Sequence, residues 1–431
     1  MNSFLKKYFK GDQGIWGIYM LLCVVSTIVM FSASSFFVYQ DGTSHLKPIM
    51  EHIFYLVLGG FFAWALHMCS VKFIRLFGYI VGIAFFVALC LMYVPGIGVK
   101  LNGALRWVHI LVTFQPSEGA KLGLVLIIAD LLSRVGKLED SKIYWAVILC
   151  AIGICMPILP SNFSTVALIG IVVIVMLMFS DLAKKWRRIS FLVLSALALC
   201  FALYFVVKVI PADKIPEPLE RVNTWVNRVE RKYVNTDQKV INPMDDMHKQ
   251  ITHGKIAIAR GGLFGVGPGN SIQRDYVPLA FADSIFTIIV EEYGLIGGVF
   301  VLMLYMALFF RVGRMAIRSG SAYTVLASIG LTLMMILQVL VNVWVVLDLM
   351  PVTGQGLPLI GHGGTSILIT SLNMGVLLAL SNDVEMQYEA AQQEKEVEEL
   401  QEEEDKDLKV IDLEDDVDTD LDLDTDDLDT V

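Results

Sequence analysis

Ten stretches of the chain stay apolar for about 20 residues, the length that crosses a bilayer as a helix. They fall at roughly 14–37, 49–69, 73–94, 117–135, 143–160, 164–181, 189–210, 284–310, 321–347 and 364–381. The first is too long for the apolar core of a signal peptide, and no A-x-A site follows it. Two of the polar intervals are more than connectors. Residues 95–116 join stretches three and four, and residues 211–283 form a loop of about seventy residues between stretches seven and eight. In that loop Leu219, Val222, Val226, Val229 and Tyr233 recur at helical spacing, while Arg221, Arg228, Arg231 and Lys232 fill the other faces. This is the pattern of an amphipathic helix on a membrane surface, or of a helix with a solvated charged side. The pattern predicts an all-α polytopic membrane protein. It has a cytoplasmic N-terminus (1–13), a ten-span domain (14–382, with 211–283 as its large extracytoplasmic loop) and a C-terminal tail (383–431).

Charge orients the spans. One set of short loops holds 15 Lys and Arg, among them Lys6, Lys7, Lys10, Lys184, Lys185, Arg187, Arg188, Arg311, Arg314 and Arg318; the opposite set holds three, Lys47, Lys100 and Arg106. By the positive-inside rule both termini are cytoplasmic, as an even number of spans requires. The formal net charge of −10 misdescribes the body: residues 388–431 carry 21 Asp and Glu against 3 Lys, leaving the remainder at +8. The tail, acidic and nearly free of aromatics, reads as disordered, with Leu400, Leu408, Ile411 and Leu413 as scattered points for a partner to grip. At 55% hydrophobic and 18% charged the chain is too apolar for a water-soluble enzyme. No basic stripe interleaves with aromatics outside the membrane flanks, which argues against nucleic acid. All six cysteines lie in apolar runs without Cys-x-x-Cys or Cys/His spacing, which excludes zinc on pattern.

Ionisable residues within a span are expensive and mark candidate sites. Glu118 and Lys121, three apart, read either as an ion pair fixing the start of span four or as the polar wall of a ligand cavity. Asp130 and Arg134, four apart near the cytoplasmic end, read as a structural pair. Asp283 stands at the outer mouth of span eight, and Glu291 and Glu292 follow two turns later. A carboxylate there is either a general base whose pKa is raised by an apolar boundary or a helix cap. The run from Gly261 to Asn270 lacks the Gly-Lys-Ser/Thr of a Walker loop and the strand-to-helix setting of a dinucleotide site. It is either a flexible turn or a phosphate-facing backbone nest. Pro351, Gly354, Gly356, Pro358 and Gly361, just before His362, imply irregular backbone at membrane depth, tolerated only where it is enclosed by protein or lines a water-filled cavity.

Four blocks in this order resemble the SEDS family of FtsW, RodA and SpoVE over about residues 10–382. Asn102-Gly103-Ala104-Leu105-Arg106-Trp107 through Gln115-Pro116-Ser117-Glu118-Gly119-Ala120-Lys121 is similar to its NGARRW…QPSE-x-AK block. Ala259 to Gly267 resembles GSGGLxGxG, Phe281 to Gly297 resembles HTDFIF…EELGxxG, and Pro351 to Ser366 resembles PxTGxxLPFxSYGGSS. The family's PDLGT stretch reads Ser161-Asn162-Phe163-Ser164-Thr165, with Asn162 in place of Asp. The resemblance implies a peptidoglycan glycosyltransferase that polymerises lipid II, the undecaprenyl-pyrophosphate-linked disaccharide-peptide, on the outer face of the bacterial cytoplasmic membrane. It implies Asp283 as the catalytic carboxylate. The substrate would contact Arg106, Trp107, Gln115, Ser117, Glu118, Lys121, Thr165, Arg260, Gly261, Gly262 and His362, with Arg106, Lys121 and Arg260 offsetting pyrophosphate charge. A divalent cation (Mg or Mn) is an expected cofactor, without assigned ligands. Expected partners are a class B penicillin-binding transpeptidase, other division or elongation proteins and membrane lipid. The long tail leans the reading to septal synthesis in cell division over an elongation role in cell shape. A lipid II flippase and a non-catalytic activator of a synthase are the rival readings.

Overall fold

The computed structural model describes residues 8–34, 46–101, 104–109, 113–209, 246–277, 281–350, 353–361 and 363–422. Ten long helices carry the predicted apolar stretches: α1 (Gln13–Ala33), α2 (Leu46–His67), α3 (Val71–Leu91), α4 (Pro116–Leu132), α5 (Asp140–Ile158), α6 (Phe163–Phe179), α7 (Lys184–Val209), α9 (Ile285–Arg318), α10 (Ala322–Val346) and α11 (Gly364–Asp422). Among the described residues, seven of these are long and apolar enough to cross a membrane (α1, α2, α3, α5, α9, α10 and α11), and α6 is a shorter apolar helix. The helices start where capping chemistry dictates. The side chains of Asp12, Ser70, Asn162 and Ser321 accept first-turn N–H groups of α1, α3, α6 and α10, and Pro116 occupies the first turn of α4.

Burial separates centre from rim. α4 is buried on nearly every face and α10 on most, from Tyr323 to Val346. Outer helices expose one apolar stripe, as Met20, Val24, Ile28 and Phe31 do on α1 and Leu295, Val299, Met303, Met306 and Phe310 do on α9. Such stripes suit lipid, in which apolar exposure carries no penalty. Small residues let α3 and α4 meet closely: a Cβ on Gly123 would stand 2.3 Å from the Gly82 Cα. The two ends of the bundle are distinct. At one, Arg311 of α9 bonds Asp12 at 2.8 Å, and Ser381 of α11 accepts the Asp12 N–H at 2.9 Å. The start of α1, the lower part of α9 and residue 381 therefore share a face. Asp130 is buried near it and held by Arg134 at 2.6 Å, Arg75 at 3.3 Å and Tyr79 at 2.8 Å.

The opposite end holds features the hydrophobic pattern does not announce. Three short strands form an antiparallel sheet there, β1 (Gly98–Leu101), β2 (Ala104–His109) and β3 (Thr113–Phe114). The loop between α7 and α9 contributes α8 (Asp246–Gly261). The amphipathic stretch 219–233 and His362 lie outside the described residues. Described residues 383–422 continue α11 as helix. Gly375 is the last glycine and no proline follows, while Ala, Gln, Glu, Lys and Leu, all good helix formers, dominate 385–411. A span already nucleates the helix, so the tail needs no core of its own to extend it.

Candidate active site

Asp283 stands one residue before the cap of α9. Ser284 occupies the cap position, and no side chain bonds the first-turn N–H groups, so Asp283 is not a cap. Its carboxylate faces Arg106 across Gly354. A Cβ placed on Gly354 would meet Arg106 Nη1 at 2.3 Å and Asp283 Oδ2 at 3.5 Å, and Gly354 has φ +66°, so only glycine leaves room for the two charges there. Arg106 reaches this point because β2 bulges. Val99 pairs with Trp107 and Lys100 with Leu105, which leaves Arg106 as the extra residue. Such a bulge re-aims one side chain out of the ladder's alternation. The guanidinium is pinned by Nε donating to the Ser161 carbonyl at 3.0 Å.

The half-buried setting penalises charge on both partners. Burial pushes the Asp283 carboxyl up to about 6, against the opposing pull of Arg106. Burial likewise lowers Arg106 from its usual value, and Asp283 partly restores it. A carboxylate that ionises near 6 is a competent proton acceptor at neutral pH.

Behind this pair, buried amides hold the irregular segment 353–361. Asn342 of α10 donates to the Asp283 carbonyl at 2.8 Å and to the Gln355 carbonyl at 2.7 Å, fixing the backbone beside Asp283 to the segment. Gln355 donates to Thr165 Oγ1 at 2.6 Å. Gln338, one turn below Asn342, donates to the Gly356 carbonyl at 3.1 Å and accepts from Lys121, whose Nζ also bonds Glu118 at 2.8 Å. Glu118 and Lys121 are an ion pair, and with Gln338, Thr370 and Asn373 they line a cavity beneath Pro358. A second, smaller cavity is lined by Arg106, Gln115, Ser117, Ser161 and Asn162 between Leu89, Met92 and Ile158. Trp107 is half-buried on β2.

Arg260, Gly261 and Gly262 belong to a different construction. α9 breaks at Gly294 (φ 70°, ψ −173°), a conformation essentially confined to glycine. The glycine run seals the break. Val266 and Gly267 N–H bond the Glu291 and Glu292 carbonyls at 3.0 Å, and the Leu295 and Ile296 N–H groups bond the Gly262 and Leu263 carbonyls at 2.9 and 3.3 Å. A Cβ on Gly261 would lie 2.0 Å from the Val290 oxygen, and one on Gly265 2.2 Å from that of Glu292. These glycines permit backbone contact, and the run is neither a free turn nor an open nest. Arg260 bonds Glu291 at 2.9 Å, and Glu291, fully buried, also accepts from Ser271 Oγ and from the Ile272 and Gln273 N–H groups. Arg260 thus neutralises a buried carboxylate of the protein.

Sequence reasoning passed over Gln338, Asn342 and Gln355. The signal was present, since two amides four apart in an otherwise apolar span are costly unless bonded.

The chain matches the Cell cycle protein family of FtsW, RodA and SpoVE over residues 12–386. It belongs to that family. It is 32% identical to the Probable peptidoglycan glycosyltransferase FtsW of Dichelobacter nodosus, over 89% of this chain and 93% of the other. The protein of the same name in Marinomonas mediterranea is 28% identical over 89% and 91%. The fold is that of a chain in a solved peptidoglycan synthase complex (22% identity, 87% and 98% covered, TM-score 0.61). It is also that of an aspartate-to-alanine variant of the Rod shape determining protein RodA of Thermus thermophilus (24% identity, 86% and 98% covered, TM-score 0.59).

Proposed function

We propose that the protein is an inverting peptidoglycan glycosyltransferase that polymerises lipid II on the outer face of the cytoplasmic membrane during septal wall synthesis. The observation that carries this reading is Asp283: a half-buried carboxylate with pKa about 6, not consumed by capping and facing a guanidinium at the mouth of the bundle. The names of the relatives support the chemistry, and the cell-cycle description of the family supports a role in division. In the reaction, ionised Asp283 takes the proton of the acceptor's 4-hydroxyl. That oxygen forms a bond to the donor's anomeric carbon as the bond from that carbon to pyrophosphate breaks. The α-linked centre becomes β, as a single displacement requires. Polyprenyl pyrophosphate leaves with its charge stabilised by Arg106, so no strong acid is needed.

The groups around Asp283 are a guanidinium, an amide and backbone carbonyls. Among the described residues no three His, Cys, Asp or Glu side chains converge as metal ligands. A divalent cation does not fit here as a group held by the protein alone.

Ten spans with both termini in the cytoplasm complete the reading. The sharing of one face by Asp12, Arg311 and Ser381, far along α9 and α11 from Asp283, supports it. A class B transpeptidase, further division proteins and lipid are the proposed partners. The test is purified full-length protein with lipid II alone. Glycan chains support the reading, transbilayer movement without glycan would make the protein a flippase, and synthesis only by an added synthase would make it an activator.

A further inference from the structure

Two polar side chains on helices not yet tied to Asp283 reach the segment 353–361. Ser26 of α1 and His52 of α2 are both fully buried, and an ionisable side chain inside a membrane span is rare and costly. Ser26 Oγ donates to the Leu359 carbonyl at 2.8 Å and lies 2.8 Å from His52 Nε2. A hydroxyl has one proton to give, and a carbonyl can only accept. The Ser26 proton is therefore spent on Leu359, and His52 Nε2–H is the donor to Ser26 Oγ. The two side chains form a relay of fixed direction, from His52 through Ser26 to the backbone of the segment.

The residue they hold is strained. Leu359 is buried and has φ 68°. A leucine stays in the left-handed region only where its surroundings over-determine it. The Ile360 and Gly361 N–H groups both bond the Leu357 carbonyl, at 3.2 and 2.9 Å, which closes a turn around Leu359. Tyr305 of α9 donates to the Pro358 carbonyl in the same turn. The turn abuts the backbone that carries the base. A Cβ on Gly361 would stand 3.0 Å from the Ala282 oxygen, and one on Gly356 3.6 Å from it. Ala282 immediately precedes Asp283. Asn342 ties Gln355, near one end of the segment, to the Asp283 carbonyl, and the relay holds Leu359, near the other.

We infer that Ser26 and His52 are positioning residues: by fixing the left-handed turn at Leu359 they fix the backbone against which Ala282 and Asp283 rest. This rests on the glycosyltransferase reading and deepens it. Neither side chain acts on the reacting atoms, and neither moves a proton in the reaction.

The test assays full-length protein in detergent over a range of lipid II concentrations. Ser26→Ala removes the donor to Leu359, His52→Phe removes the donor to Ser26, and His52→Gln keeps an N–H of similar reach that never ionises. Ser26→Ala and His52→Phe should each lower kcat about tenfold with KM within about twofold of wild type. The double variant should lose no more than the worse single one, because both act through one carbonyl. His52→Gln should keep most of the wild-type kcat. Unchanged kcat in Ser26→Ala and His52→Phe, a loss confined to KM, or a His52→Gln as impaired as His52→Phe would overturn the inference. Hydrogen exchange of the 353–361 amides is read without turnover. Faster exchange in Ser26→Ala and His52→Phe supports the relay, and exchange equal to wild type overturns it. A wild type that makes no glycan would sink the polymerase reading and leave the exchange comparison to decide whether the relay holds the turn.

Discussion

A base held near pH 6 should make the fold less stable, and Asp283→Asn should reveal it. The carboxyl rises from 3.8 to about 6 on folding because burial disfavours its charge more than Arg106 favours it. At most about 3 kcal/mol of folding free energy is lost once the group is ionised, and less to the degree that water reaches this half-buried side chain. The sign follows from the raised value. Below about pH 3 the carboxyl is neutral in both states and costs nothing. As pH climbs from 3 to 6 the unfolded chain ionises first, and the full penalty stands above 6. The amide that Asp283→Asn introduces has the same shape as the carboxyl and never ionises. The thermal midpoint of Asp283→Asn in detergent should therefore match wild type near pH 3 and exceed it by a few degrees at pH 8, the gap opening between. Wild-type turnover should rise through the same interval as the base ionises. A gap that does not change with pH, or a variant less stable than wild type at pH 8, would refute the account of how Asp283 is poised.

Other substitutions separate the roles of the surrounding residues. Gly294→Ala forces a side chain into φ 70° and within 2.2 Å of the Leu263 oxygen, so it should cost about 2–5 kcal/mol; Gly313→Ala, in the same helix with open space around it, should be neutral or gain up to about 1 kcal/mol, and equal effects in thermal unfolding would mean the break in α9 is not built in. Arg260→Ala should lower the thermal midpoint, since it leaves the buried Glu291 carboxyl without its guanidinium partner, while KM for lipid II changes little; a large rise in KM at full stability would return Arg260 to the substrate site. Asn342→Leu should reduce kcat by about 10–100-fold with KM nearly constant, because it frees the Asp283 carbonyl and the 353–361 segment together; a loss confined to KM would show that it positions substrate instead.

Much of this architecture was legible because the bilayer imposes a length. Every described long helix begins within a few residues of the start of an apolar stretch, and Pro116, Asn162 and Ser321 mark starts by chemistry readable in one dimension. The site was legible in part. Asp283, Glu118 and Lys121 stood out because charge is costly at membrane depth, and Arg106 through the block it shares with the family. What escaped depends on partners distant in sequence. The bulge that turns Arg106 inward exists only when β1 pairs with β2, and the glycines at 261, 262 and 265 acquire their purpose only against the break at Gly294. Arg260 looked like a cation for substrate because its neutralising partner, Glu291, lies 31 residues away. Composition reports whether a segment can fold alone, and described residues 383–422 instead continue α11.

The central claim is that Asp283 accepts the proton of the attacking sugar hydroxyl. It is tested most directly by incubating purified wild type and Asp283→Asn with lipid II at pH 7.5 and resolving the products by chain length. Wild type is expected to give long glycan strands, and the variant, folded and at least as heat-stable, none. Strands of normal length and yield from Asp283→Asn would contradict the account at its base.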